Sequence, residues 1–190
     1  GLMRLFPVVC PPWSETSAGF FFQEDRVAFE EVKAFMTARG FADRLRILDG
    51  SSATVELAAQ TLGCAPEHIA KTVSLRLKTG PIVIVTAGDA KIDNRTYKHR
   101  FGEKAHLIAF DEVEALTGHA PGGVCPFALK PGVRVFLDES LKRFDSVWPA
   151  AGADHTAVFL KLNELEALAQ PESWVDVCKG CREEETALAA

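Results

Sequence analysis

The sequence predicts one α+β domain, in which short strands and short helices intermix around a mixed or antiparallel sheet. Three observations carry this. Strand-length apolar segments alternate with helical patterns, but without the regular strand–helix repeat of a doubly wound fold. Two of those segments, 70–77 and 82–86, are separated by so short a turn that an antiparallel hairpin is expected. The 190 residues contain no long linker, internal repeat or low-complexity stretch, and a single domain of about 150 residues already buries roughly two-thirds of its unfolded surface.

The elements follow in chain order. Residues 1–23 are irregular, with Pro7, Pro11, Pro12 and then FFF at 20–22, and read as an arm that packs back on the core. Residues 24–39 place Ala28, Val32, Phe35 and Met36 on one helical face, with Gly40 as the stop. RLRIL at 44–48 alternates as a strand. Ser51 and Ser52 precede a short helix with Val55, Ala58, Ala59 and Leu62 on one side and Gly63 at its end. Pro66 opens a further turn into the 70–77 strand. KTGP at 78–81 is the turn, and IVIVT at 82–86 is apolar on both faces, as in a central strand. Residues 93–101 form a basic helix packed through Tyr97 and Phe101. Residues 106–110 are strand-like, and Asp111 is expected to cap DEVEAL. Further short strands are expected at 133–138, from 147, at 156–160 and at 174–178, with a helix over LNELEALA at 162–169. The domain is bounded at 24–180, leaving 181–190 as a tail.

Composition fits a soluble globular chain, 47% apolar and 25% charged, with no apolar run near the ~20 residues of a membrane span. Gly1 and Leu2 ahead of Met3 read as an expression remnant, and MRLFPVVCPP is too weak for a secretory signal. The five cysteines (10, 64, 125, 178, 181) read as reduced thiols in a cytoplasm. Net charge is −5, yet residues 71–104 hold eight Lys/Arg against three acids. A basic block in an acidic chain can meet phosphates locally without making a general nucleic-acid binder.

Two stretches could carry chemistry. In EHIAKTVSLRL, strand alternation puts Lys71 on the row of Val73, Leu75 and Leu77, so an ammonium points along an apolar face. Such a lysine either snorkels to solvent or serves as a cation at a pocket rim, where it can hold a phosphate or polarise a carbonyl. The loop GHAPGGVCPF at 118–127 combines three glycines with two prolines and could turn successive N–H groups toward one point. Cys125 within it could be a nucleophile with His119 or His155 as base, or a small buried thiol. Cys178 and Cys181 have the spacing of half a zinc site whose other half is missing, so no metal is expected. No P-loop, dinucleotide fingerprint or nucleophile-elbow pattern occurs.

The order IAKTVSLRL, IVIVTAGDAKID, LTGHAPGGVCPF, VFLDESL and VWPAAGADHTAVFL resembles the YbaK/ProX family of aminoacyl-tRNA editing proteins, related to the insertion domain of bacterial prolyl-tRNA synthetases. The likeness spans about residues 24–180. It implies a compact domain around a curved mixed sheet surrounded by short helices, and metal-free, cofactor-free hydrolysis of a small amino acid wrongly esterified to tRNA, with Ala or Cys on tRNA(Pro) expected first. Lys71 matches the lysine on which activity depends. Gly118, Pro121, Gly122, Gly123, Val124, Cys125 and Pro126 match the loop over the aminoacyl group and terminal adenosine, Asp138 the aspartate at a strand end, and Gly152 the late glycine turn. Two departures stand out: Cys125 where family members often carry Ser or Thr, and AAGADHT where the late turn is often basic. Lys91, Arg95, Lys98 and Arg100 are the expected tRNA contacts. The partners implied are the tRNA acceptor end and prolyl-tRNA synthetase, with no membrane, and the chain acting as monomer or homodimer. The competing readings are a non-catalytic tRNA- or synthetase-binding module and a Cys125-dependent thiol hydrolase.

Overall fold

The computed structural model describes residues 23–181, so all but the last residue of the expected arm and all but the first residue of the expected tail lie outside the described residues. Helix α1 (Gln23–Ala38) buries Ala28, Val32 and Met36, the stripe its spacing anticipates. Strand β1 (Leu45–Ile47) follows, then α2 (Val55–Leu62), capped by the Thr54 hydroxyl, which accepts from Leu57 N, and closed by Gly63. A single 3-10 turn, Pro66–His68, delivers the chain into β2 (Ile69–Leu77).

Strands β2 and β3 (Gly80–Ala87) pair antiparallel over their whole length, from Leu77↔Gly80 to Ala70↔Ala87. The turn is tighter than KTGP suggests, because Gly80 already pairs and only Lys78 and Thr79 lie between the strands. A two-residue hairpin turn matches strand twist best, and Gly80 accepts the φ of +129° that follows it. Residues 82–87 of β3 are all buried, and each large side chain among them is worth about 1.5–3 kcal/mol of transfer free energy.

The rest of the sheet forms outward from this hairpin. Strands β5 (Arg134–Asp138) and β9 (Ser173–Val175) add in parallel beyond β3. On the other side β6 (Ser146–Pro149) adds in parallel to the start of β2, and β8 (Leu160–Lys161) adds antiparallel to β6. The order is β8-β6-β2-β3-β5-β9, a mixed six-stranded sheet. Two small pairs flank it: β1 with β7 (Thr156–Val158), and β4 (Lys91–Ile92) with β10 (Cys178–Lys179). Helices α3 (Asn94–Phe101), α4 (Val113–Thr117) and α5 (Leu162–Ala169) complete the described elements. None of the described helices is long and apolar enough to cross a membrane.

Several local expectations change. Residues 106–110 make a bridge at Leu107 to Leu75 rather than a strand, with Leu107 and Phe110 exposed. Asp111 caps nothing; a 3-10 turn over Phe110–Glu112 runs into α4 without a side-chain cap. The 156–160 strand splits at Phe159, whose N–H goes to the Arg44 carbonyl. The 174–178 strand splits as well, because the Val177 N–H turns to the Asp138 carboxylate.

Helix α1 rests on the turn after β6. Gly152 there has φ +96°, and a Cβ would lie 2.8 Å from the Ala28 carbonyl oxygen and 3.0 Å from a Val32 methyl. Gly152→Ala is therefore expected to cost about 1–3 kcal/mol by overpacking, lowering the melting midpoint by roughly 2–4 °C per kcal/mol. An unchanged midpoint in a thermal melt would show that α1 yields freely at this contact.

Candidate active site

The inward-pointing lysine lies where its alternation puts it, near the start of β2 opposite Thr86. Its Nζ donates to the Ala90 carbonyl at 2.7 Å. An ammonium has three donors, so this bond anchors the side chain and leaves the others for a ligand. Burial pushes the Lys71 pKa down; Cys178, Asp89 and Glu56 act the other way, and Lys91 adds to the depression. Asp89 is itself held by Arg143, at 2.5 and 3.0 Å.

Lys71 lines a cavity of about 230 Å³. Drug-sized pockets run to ~300–1,000 Å³, so this one suits a small group. Its walls come from four parts of the chain: residues 52–55 with Ala58 and Leu62 of α2; residues 69–72 of β2; Gly122 and Val124 of the glycine loop; and Trp148, Ala150, Thr156 and Ala157. The loop and the lysine thus meet, although 47 residues separate Val124 from the end of β2. Among these lining residues Lys71 is the only ionisable side chain.

The glycine loop is built by close approach. A Cβ on Gly123 would sit 2.4 Å from Ala153 Cα, so no other residue lets the loop lie against that turn. The Gly123 N–H is spent on the Ala120 carbonyl at 3.0 Å, whereas the N–H groups of Gly122 and Val124 have no internal acceptor among the described residues. The other expected site residues of this segment stand off the cavity wall. Gly118 ends α4 with φ +88°, and Pro121, Cys125 and Pro126 form the loop's outer turn and underside.

Cys125 and His119 do adjoin, Sγ to Nδ1 at 3.7 Å, with both side chains fully buried. Nδ1 accepts from the Cys125 N–H at 3.3 Å, which assigns the ring proton to Nε2. Burial drives the pair toward neutrality: the imidazole falls to about 4, while the neighbouring Ala128 carbonyl pulls weakly upward, and the thiol rises to about 12. This is the reverse of an activated thiolate–imidazolium pair. His155 is elsewhere, in the turn before β7.

Asp138 and Gly152 are also internal. The Asp138 carboxylate accepts from Ser140 N at 2.9 Å and Val177 N at 3.0 Å, tying β5 to the segment before β10. Of the expected tRNA contacts, Lys91 lies in β4 directly after the Ala90 anchor, and Arg95, Lys98 and Arg100 line a surface cleft of α3 with His99. Arg100 also donates to Ser173 Oγ at 2.9 Å.

Sequence reasoning missed the wall residues Ser52, Thr54, Thr72, Trp148 and Thr156. Thr72 is the most informative, since its hydroxyl is buried with no hydrogen-bond partner. Its adjacency to Lys71 was the available signal, but alternation puts it on the opposite face of β2 from the lysine.

Comparison with known proteins places the chain in a family. A family model described as an aminoacyl-tRNA editing domain matches residues 49–168. The YwhH protein of Bacillus subtilis (strain 168) is 42% identical over 154 residues, 80% of this chain and 98% of that protein. The multifunctional Ser/Thr-tRNA deacylase ProXp-y of Escherichia coli (strain K12) is 27% identical over 152 residues, 77% of this chain and 90% of its own. A crystal structure described as a candidate trans-editing enzyme for prolyl tRNA synthetase superposes with TM-score 0.72 at 26% identity, over 84% of this chain and 99% of that one. The family model covers more than half of the chain, and the segment it matches contains Lys71 and the glycine loop: the chain belongs to the aminoacyl-tRNA editing domain family.

Proposed function

We propose that the protein is an aminoacyl-tRNA deacylase that removes a small, wrongly attached amino acid from the tRNA 3′ end. One observation carries the reading: Lys71 and two glycine-loop residues whose N–H groups have no internal acceptor among the described residues, Gly122 and Val124, line the same 230 Å³ cavity. An aminoacyl ester is already activated, so its hydrolysis needs a placed water and donors aimed at the developing oxyanion. Lys71 holds the ester carbonyl or the terminal phosphate by its charge, and the loop amides share the oxyanion. Water adds to the carbonyl carbon, the tetrahedral adduct collapses with cleavage of the ester C–O bond, and the ribose oxygen leaves with a proton. With no ionisable side chain besides Lys71 on the cavity wall, the attacking water is positioned by the ribose's own neighbouring hydroxyl or by backbone carbonyls.

The cavity volume restricts the side chain to a small one. Ala and Cys, with Ser and Thr, all fall within that size. The basic cleft of α3, with Lys91, is the surface for the acceptor stem, and prolyl-tRNA synthetase is the expected partner in supplying a misacylated tRNA.

Four outcomes test this reading. Lys71→Ala should lower deacylation of misacylated Ala-, Cys-, Ser- or Thr-tRNA by about 10²–10³-fold, the usual cost of one oxyanion donor. Wild-type rates in this variant would remove the lysine from the mechanism. The direction of the pH profile separates charge from base. A required ammonium makes the enzyme-dependent rate fall as pH rises through the Lys71 pKa, at a pH below the ~10.4 of an exposed lysine, whereas a base would make it rise. Cys125→Ser should leave turnover within about threefold and thiol alkylation should have no effect, since only an accessible thiolate is a nucleophile; abolition of activity by either would restore the thiol hydrolase. Finally, Arg95→Ala or Lys98→Ala should weaken tRNA binding across sequences, and each should reduce the slope of log affinity against log salt by about 1.

A further inference from the structure

The wall of the cavity formed by Ser52, Ala53 and Thr54 precedes α2 and has no strand of the main sheet to hold it. What fixes it is a carboxylate about a hundred residues later. Asp154 Oδ1 accepts from Ser52 N at 2.6 Å, from Ser52 Oγ at 3.2 Å and from its neighbour His155 N at 2.8 Å, while Oδ2 accepts from Ser51 Oγ at 2.9 Å. The Ser52 hydroxyl in turn accepts from His155 N at 3.0 Å. Burial opposes ionisation of Asp154, but donors from Ser52, Ser51 and His155 overcome it and hold the carboxyl below its usual range.

Two further features show that this clasp sets a distance. Gly122 lies against it: a Cβ there would be 3.4 Å from the Ala53 Cβ and 4.0 Å from the Asp154 Cβ. His155 has φ +65°, a left-handed conformation uncommon outside glycine, and its carbonyl accepts from Leu48 N at 2.7 Å. Such a backbone persists only where its surroundings over-determine it. The position of the Ser52–Thr54 wall relative to the glycine loop is thus fixed by hydrogen bonds to one side chain, and Asp154 itself does not line the cavity.

We propose that Asp154 is a positioning residue for specificity, which acts through Ser51 and Ser52 to set the width of the pocket that receives the amino-acid side chain. This rests on the deacylase reading and adds to it the group that rejects side chains one size too large. A hydrophobic wall separates neighbours differing by one methylene by about 10–200-fold, and it does so only while it cannot retreat.

The test is deacylation of one tRNA body carrying, in turn, Ala, Ser, Thr, Val and Leu, by the full chain with Asp154 intact, Asp154→Asn or Asp154→Ala. Asp154→Asn keeps an acceptor oxygen for the Ser52 amide, so its kcat/KM ratios between successive side chains should stay within about threefold of wild type. Asp154→Ala releases the wall: kcat/KM for the members larger than the preferred one should rise about tenfold relative to it, with KM for the preferred substrate increased more than kcat is reduced. Equal losses on every substrate would reduce Asp154 to a fold contact and overturn the proposal. Asp154→Asn behaving as Asp154→Ala, with raised KM and unchanged ratios, would overturn it in favour of a charge contact to the substrate's ammonium. Should Asp154→Ala fail to fold, Ser52→Ala removes one arm of the clasp and must shift the ratios in the same direction, or the proposal falls. Wild-type inactivity on the whole series is a different result: it overturns the deacylase reading and this inference with it.

Discussion

Everything in this molecule is referred to the pairing of β2 with β3. The pairing fixes which side of β2 each residue takes, and a slip of one position would exchange the buried and the open rows along the whole strand. It therefore decides that Lys71 stands opposite Thr86 and within reach of the Ala90 carbonyl. It also determines where the rest of the sheet can add: β5 alongside β3, and β6 only along the first residues of β2. Strand β6 parts from β2 after Ala70, and the cavity is lined by the residues around that point, 69–72.

Around that opening the polar groups divide into those already satisfied and those left over. Asp138, Gly123 N–H and Cys125 N–H are consumed in holding β10, the loop and His119 in place. Two protons of the Lys71 ammonium, the amides of Gly122 and Val124, and the Thr72 hydroxyl are left over. Polar groups left without partners cost stability, and Lys71, Thr72, Gly122 and Val124 all line one cavity. That is the pattern expected where a site is organised for a ligand rather than for the fold. Lys71 shows the tension most clearly, since burial works against its charge while Asp89 and Glu56 favour it.

Much of this was legible in the sequence. The hairpin, α1, α2 and α5 follow from apolar spacing and from glycine or proline stops, and the oddness of Lys71 follows from alternation alone. What was not legible has identifiable causes. Strand β4 is two residues long and begins with a lysine, so no periodicity exists to find. Strands β7 to β10 are interrupted by individual hydrogen bonds, such as that from Val177 N to the Asp138 carboxylate, that spacing does not encode. Asp138 was matched to a substrate role by resemblance, but full burial gives it internal partners. Ser52, Trp148 and Thr156 escaped because a cavity wall is assembled across the chain; Ser52 meets Asp154 over 102 positions, and only the fold brings them together.

The burial of Cys125 bears on how the protein tolerates chemical stress. Burial pushes the Cys125 thiol well above its ordinary pKa and keeps it neutral at physiological pH, whereas thiolate is the form that oxidants and disulfides attack. With no exposed surface as well, the sulfur under the glycine loop is insulated from peroxide and from mixed-disulfide formation. The loop can thus use a small, soft side chain to fill space beneath it without tying its geometry to the redox state of the surroundings.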